Sequence, residues 1–314
     1  MYKVLVFGTN GVFGRQTAKA LSVHGYDVTA FVRNRDRLPA ELHHLSVITG
    51  DASDAVAVEQ ACCGMDIAIY AVNPPNYDWR HKAVPYLDHF LAAAKKHRLT
   101  VIFPGNVYIF DPLAGPVFDE TAALNPATEF GRIRQTMEER LKRASNTDVK
   151  VIILRMGDFI SPNSPRTWLP QLTKFGNQGH SLSSPGPDGL PHAWTYVPDA
   201  AAVVCRLIDR LSELPDFSVF HMAGLNLSIR EIASRIETAT GLPVKIRKFP
   251  WWLVRAASPM STLFRGLLKM RYLWHTDIRL CDQKLRDFLC DDMPATEITI
   301  ILQTCSLIPT DRRR

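Results

Sequence analysis

The chain has 314 residues, 46% hydrophobic and 22% charged, with a net charge of +6. That is enough for one large α/β domain and a smaller appended lobe, and no stretch approaches the run of about 18 apolar residues that a membrane span needs. Residues 1–240 balance 24 basic against 24 acidic side chains, whereas residues 241–314 carry 13 against 7. This excess follows no recognisable nucleic-acid module, so solvated surface is expected and no nucleic-acid partner.

A first strand from Lys3 leaves no room for a signal peptide. Strands are expected at Lys3–Phe7, Asp27–Val32, Leu45–Thr49, Asp66–Val72, Thr100–Phe103 and Val149–Leu154. Their nearly continuous apolar runs suit parallel strands covered on both faces. Helical spacing lies between them at Arg15–His24, Asp54–Cys62, His81–His97 and Glu129–Ala144. The alternation predicts an α/β fold, a Rossmann doubly wound parallel sheet.

Residues 158–194 are rich in Pro and Gly and read as a long functional excursion rather than a compact element. Helix 198–211 and strand Ser218–Met222 then return to the sheet. Ser228 and Glu231 form a capping box for a helix to Thr240. Strand Val244–Phe249 follows, and a basic amphipathic pattern over 251–272, interrupted by Pro259. That pattern fits a core or lid element over the substrate; contact with a membrane is the less favoured reading. The NAD(P)-binding domain is thus expected over 1–157 with 195–224. Residues 158–194 and 225–314 are expected to form a smaller α+β substrate lobe.

Gly8-Thr9-Asn10-Gly11-Val12-Phe13-Gly14 is a GxxGxxG turn between the first strand and the first helix. That context marks a dinucleotide site. Gly8 allows the tight turn, Gly11 lets the backbone approach the pyrophosphate, and Gly14 permits close helix–strand packing. The second strand ends Arg33-Asn34-Arg35, without the carboxylate that would accept NAD ribose hydroxyls. Arg33, with Arg35, is placed to meet a 2′-phosphate, so NADP is expected over NAD. Asp51 and Ala52 close the third strand, Asp51 placed to accept from the adenine amino group. Ala71 and Asn73 lie where the fourth strand would reach the cofactor.

The chain resembles the extended and atypical short-chain dehydrogenase/reductases, which include sugar-nucleotide epimerases and dehydratases. The likeness rests on GTNGVFG (8–14), GDASD (50–54), FPGNVY (103–108), EFGRIRQTMEERL (129–141), LRMGDFISP (154–162) and TYVPDAA (195–201). It implies a catalytic Ser or Thr and a Tyr-x-x-x-Lys pair. Those positions fall on Pro104, Phe130 and Arg134. Phe130 has no titratable hydrogen; Arg134 can still donate to ribose hydroxyls but stays charged. Tyr108, Tyr77 and His192 are the candidate replacement acids, with Tyr196 and Asp158 nearby in the family's plan. The plainer readings are a structural Tyr108, a packing Tyr196 and an exposed His192.

Trp168, Trp194 and Phe159 are expected to supply the apolar walls of the substrate pocket, and the resemblance further implies a homodimer through helices 81–97 and 129–144 with contacts at His89, Leu91 and Met137. An NADP-dependent oxidoreductase or epimerase-like enzyme acting on a small carbonyl or hydroxyl substrate is the leading reading, with sugar nucleotides among the options. The alternative is a catalytically silent NADP-binding sensor. The six cysteines form no metal-type spacing and suit a reducing cytoplasm, and no metal is expected.

Overall fold

The computed structural model describes residues 1–308. Seven strands form one parallel sheet: β1 (Lys3–Phe7), β2 (Asp27–Val32), β3 (Ser46–Thr49), β4 (Ile67–Tyr70), β5 (Thr100–Asn106), then Lys150–Met156 and Phe217–His221. Across the sheet the order is 217–221, 150–156, β5, β4, β1, β2, β3. The connections reverse direction between β1 and β4, the switch point where such sheets open a crevice beyond the strand ends.

Alternation along β1 feeds both sides of the sheet. Leu5 and Phe7 join a core with α2 (Ala55–Cys62), α3 (Ala83–His97) and α4 (Glu129–Ala144). Val4 and Val6 join the opposite core with α1 (Val12–Val23) and the helix Val197–Asp209. All four side chains are fully buried, each contributing roughly 1.5–3 kcal/mol.

Three expectations change. Helix α1 starts at Val12 rather than Arg15, because the Gly11 amide donates to the Gly8 carbonyl at 2.8 Å and closes the turn early. Residues 158–194 are not an unstructured excursion. Strand Asp158–Ile160 pairs with His192–Tyr196, which also pairs with Leu225–Leu227, and His180–Ser184 pairs with Val244–Lys248. These partners are distant in sequence, so no local periodicity announces them. Finally, Leu91 and Met137 are buried within the chain's own core and cannot be dimer contacts, while His89 is only partly buried.

A third core surrounds Trp194, which is fully buried and donates from its indole to the Leu227 carbonyl at 3.0 Å. It is a packing residue, not a pocket wall. Trp168 stacks edge-on against Trp274 and Phe249 in the same core. The pattern over 251–272 resolves into helices Trp251–Ala257 and Thr262–Met270, with Pro259 in the turn between them.

Candidate active site

The glycine turn is a cradle that side chains would fill. Gly8 has φ +79°, and a Cβ there would lie 2.4 Å from the Ala71 carbonyl oxygen. A Cβ on Gly14 would lie 2.4 Å from the Gly8 carbonyl oxygen, whereas one on Gly11 would meet only that oxygen, at 3.1 Å. The buried Thr9 hydroxyl braces the turn by donating to the Val6 carbonyl at 2.7 Å. Gly11 caps α1 without a side-chain hydrogen bond, and the first turn holds no acid. Its amides and positive dipole end therefore suit a pyrophosphate. Asn10 is exposed on the turn, Val12 opens the helix, and Phe13 stacks on Phe159 with centroids 6.1 Å apart.

Beyond β2, Arg33 and Arg35 are exposed, and neither side chain forms a hydrogen bond or ion pair among the described residues. Asp51 accepts from the Ser53 amide at 2.8 Å and from its hydroxyl at 2.7 Å. These bonds, helped by the charges of Arg33 and Lys82, hold its carboxyl below the usual range. Ala52 is buried, Ala71 abuts Gly8, and Asn73 is exposed.

Helix α4 carries Phe130 and Arg134, the residues expected at the Tyr and Lys positions. Thr128 caps it by accepting from the Gly131 amide at 3.1 Å. Gly131 lets the helix press on the main chain of Tyr108, since a Cβ would lie 2.2 Å from that carbonyl oxygen. Phe130 is buried against Tyr77 and Trp79, at ring distances of 5.0 and 5.4 Å. Arg134 is also buried; its guanidinium donates to the Pro104 carbonyl and lies 4.6 Å from the Phe103 ring centre. Burial lowers its pKa, and its Nε is buried without a partner.

Tyr108 is positioned through its amide, which donates to Asn106 Oδ1 at 3.1 Å, and its ring stacks on Trp79. Asn76 and Tyr77 both have φ 58°, a left-handed backbone that costs non-glycine residues about 1 kcal/mol or more each. His192 is buried in a strand rather than exposed in a loop. The strand pairing of 158–160 with 192–196 brings it to Asp158, 2.8 Å away, and its ring stacks on Trp274 at 3.9 Å. Asp158 and His192 line a small cavity of about 10 Å³ with Val107, Ala193, Leu273 and Thr276, room for about one water.

Burial raises the pKa of Tyr77, Tyr108 and Tyr272; the Asp158 charge adds to it at Tyr77 and Tyr272, and at Tyr108 the neighbouring Tyr77 adds more than Asp158 does. The Asp158–His192 pair thus shares its cavity with Val107, the residue before Tyr108, while the Tyr77 ring packs on Trp79 and Phe130. Tyr196 stays apart, its hydroxyl 3.0 Å from that of Thr304. Sequence reading missed Tyr272 and Trp274, which stand more than 70 residues from every other member of the cluster and carry no motif.

The glycine cradle, the parallel sheet and the residues facing its switch point define a dinucleotide-dependent oxidoreductase or epimerase. Residues 4–223 match the NAD dependent epimerase/dehydratase family, and the chain belongs to it. It is 26% identical over 257 residues to a 2-alkyl-3-oxoalkanoate reductase of Stenotrophomonas maltophilia (strain K279a), covering 77% of this chain and 76% of that protein. Two solved structures share the fold. One is a protein of Burkholderia cenocepacia J2315 named only provisionally as an epimerase (TM-score 0.76, 20% identity, 97% of this chain and 98% of that one). The other is a short-chain dehydrogenase/reductase superfamily protein of Agrobacterium tumefaciens with bound NAD (TM-score 0.72, 16% identity, 97% and 96%).

Proposed function

We propose that this chain is an NADP(H)-dependent reductase of an apolar oxo compound, with the family's Ser-Tyr-Lys relay replaced by the hydroxyl of Tyr108 or Tyr77. The observation that carries the reading is the Asp158–His192 pair, hydrogen-bonded at 2.8 Å, which lines one small cavity with Val107, the residue before Tyr108. Tyr108 and Tyr77 carry the hydroxyl protons that Phe130 and Pro104 lack.

The bound cofactor supplies the hydride. Gly8, Thr9, Asn10, Gly11, Val12, Phe13 and Gly14 hold its pyrophosphate, and Asp51, Ala52, Ala71 and Asn73 border its adenosine half. Arg33, exposed beyond β2 with no hydrogen bond or ion pair among the described residues, pairs with a 2′-phosphate and sets the preference for NADP over NAD. The unpartnered Nε of Arg134 is a donor available to a ribose hydroxyl. Tyr108 or Tyr77 gives its proton to the substrate oxygen. His192 fixes the Asp158 carboxylate through their 2.8 Å hydrogen bond.

The surroundings are aromatic: Trp79, Phe130 and Tyr272 share the core next to these hydroxyls. An alkyl chain fits them better than a nucleoside diphosphate sugar, and the reductase relative acts, by its name, on such an oxo acid. Free thiols at all six cysteines accord with work in a reducing cytoplasm. The two-domain division at residues 157 and 224 is proposed as the functional partition of cofactor and substrate. Homodimerisation, if through α3 and α4, uses outward residues such as Arg132, Glu139 and Arg143, which are exposed.

The deciding experiment follows NADPH oxidation with 3-oxoalkanoates and with UDP-sugars. Turnover on the oxo acids that falls in Tyr108→Phe or Tyr77→Phe supports the reading. Tight NADPH binding without turnover on any substrate overturns it in favour of a sensor, the reading that the burial of Phe130 and Arg134 favours.

A further inference from the structure

Four of the large apolar side chains exposed on this protein fall within twelve residues: Trp252 (70% exposed), Leu253 (48%), Met260 (89%) and Leu263 (37%). They belong to the helix pair Trp251–Ala257 and Thr262–Met270 and the turn joining it. The inner side of the pair is fully engaged. Val254, Gly266 and Met270 are buried, and Gly266 sits so close to Tyr77 that a Cβ would lie 2.3 Å from its ring. Lys269 is tied to Glu129 at 2.7 Å. The exposed apolar set is therefore the outward side of an anchored element, not an unpacked end.

Charge on this segment has one sign. Residues 242–276 contain seven Lys or Arg and no Asp or Glu. Lys269 has its carboxylate partner, and Arg271 lies 5.3 Å from the Trp251 ring centre. The other five, Lys245, Arg247, Lys248, Arg255 and Arg265, make no ion pair among the described residues and are exposed. Arg255 stands one turn from Trp252, and Arg265 donates to the carbonyls of Ser258 and Pro259, beside Met260.

We propose that this helix pair docks on an anionic lipid surface, with Trp252, Leu253, Met260 and Leu263 entering the headgroup boundary and the surrounding Lys and Arg meeting lipid phosphates. An apolar tip carrying Trp within an all-basic segment matches both halves of such an interface. A second copy of the chain would bring the same positive charge and be repelled. No helix among the described residues is long and apolar enough to cross a membrane, so the contact is peripheral. Because the inner side rests on Tyr77, docking would sit directly over the candidate active site. The docking itself does not depend on the catalytic reading.

The test is flotation of the full chain with phosphatidylcholine vesicles and with mixed phosphatidylcholine–phosphatidylglycerol vesicles. The wild type is expected to float with the mixed vesicles only, less so as salt rises. The Trp252→Glu/Met260→Glu double variant should bind at least about tenfold more weakly, and Lys248→Glu/Arg255→Glu likewise. Both should keep the wild-type melting temperature and NADPH affinity, which shows that they fold. A wild type that stays unbound to mixed vesicles at low salt overturns the proposal. So do variants that bind as well as wild type. Light scattering that shows a wild-type oligomer dissolved by Trp252→Glu/Met260→Glu overturns it as well, in favour of self-association.

Discussion

The guanidinium of Arg134 donates to the main-chain carbonyl of Pro104, so two of the three residues expected at the relay positions are bonded to each other. Arg134 also lies 4.6 Å from the Phe103 ring centre and 5.8 Å from that of Trp79. Its first role is to tie α4 to the end of β5. Arg134→Ala should therefore lower unfolding stability by roughly 2–4 kcal/mol in urea titration, from a lost charge-assisted hydrogen bond, lost stacking and a cavity. Phe130→Tyr with Arg134→Lys should leave turnover within a few-fold of wild type, because Pro104 still lacks a hydroxyl. A large gain in rate would show that the standard relay can be rebuilt.

Cofactor preference rests on Arg33. NADPH should bind more tightly than NADH in calorimetric titration, and Arg33→Ala should weaken NADPH by about ten- to a hundredfold, the worth of a charge-assisted phosphate contact, while leaving NADH nearly unchanged. Equal wild-type affinities would remove the assignment.

The tyrosines make a prediction about pH. Burial and Asp158 raise Tyr77 and Tyr108 above the ordinary tyrosine value. A raised pKa keeps the acid form present as pH rises, so turnover should show no loss of an acid between pH 7 and about 10 from these groups. Removing the working hydroxyl, by Tyr108→Phe or Tyr77→Phe, should cost about 10²–10⁴ in kcat. His192→Ala acts through Asp158 and should change the pH profile as well as the rate. If all three variants match wild type, proton delivery lies elsewhere.

Stability in acid should depend on His221. It is buried; Arg155 approaches its Nε2 at 3.2 Å, and its Nδ1 lies 3.1 Å from the Phe118 carbonyl, a pattern that suits the neutral ring. Desolvation and the Arg155 charge push its pKa down to about 4 from 6.5. The unfolded chain therefore takes up a proton between those values that the folded chain refuses. The stability is present above pH 6.5 and is lost as pH falls through 6.5 to 4, by up to about 3 kcal/mol. His221→Gln should flatten that part of the stability–pH curve.

Local chemistry made the cofactor domain legible. Apolar runs on β1 and β2, helical spacing on α2 to α4, and the Gly8–Gly14 turn each act within about ten residues, so their pattern survives in one dimension. The motifs around Pro104, Phe130 and Arg134 set the register from which those residues are expected at the relay positions. The start of α1 was misplaced because a single amide bond, Gly11 to Gly8, decided it. What only the tertiary structure decided is the company these residues keep. His192 reaches Asp158 through a strand pairing across more than 30 residues, and Tyr272 and Trp274 arrive from the short turn Arg271–Trp274 that follows the helix pair. Long-range packing leaves no periodic trace, so the sequence named several members of the site and the fold alone assembled them.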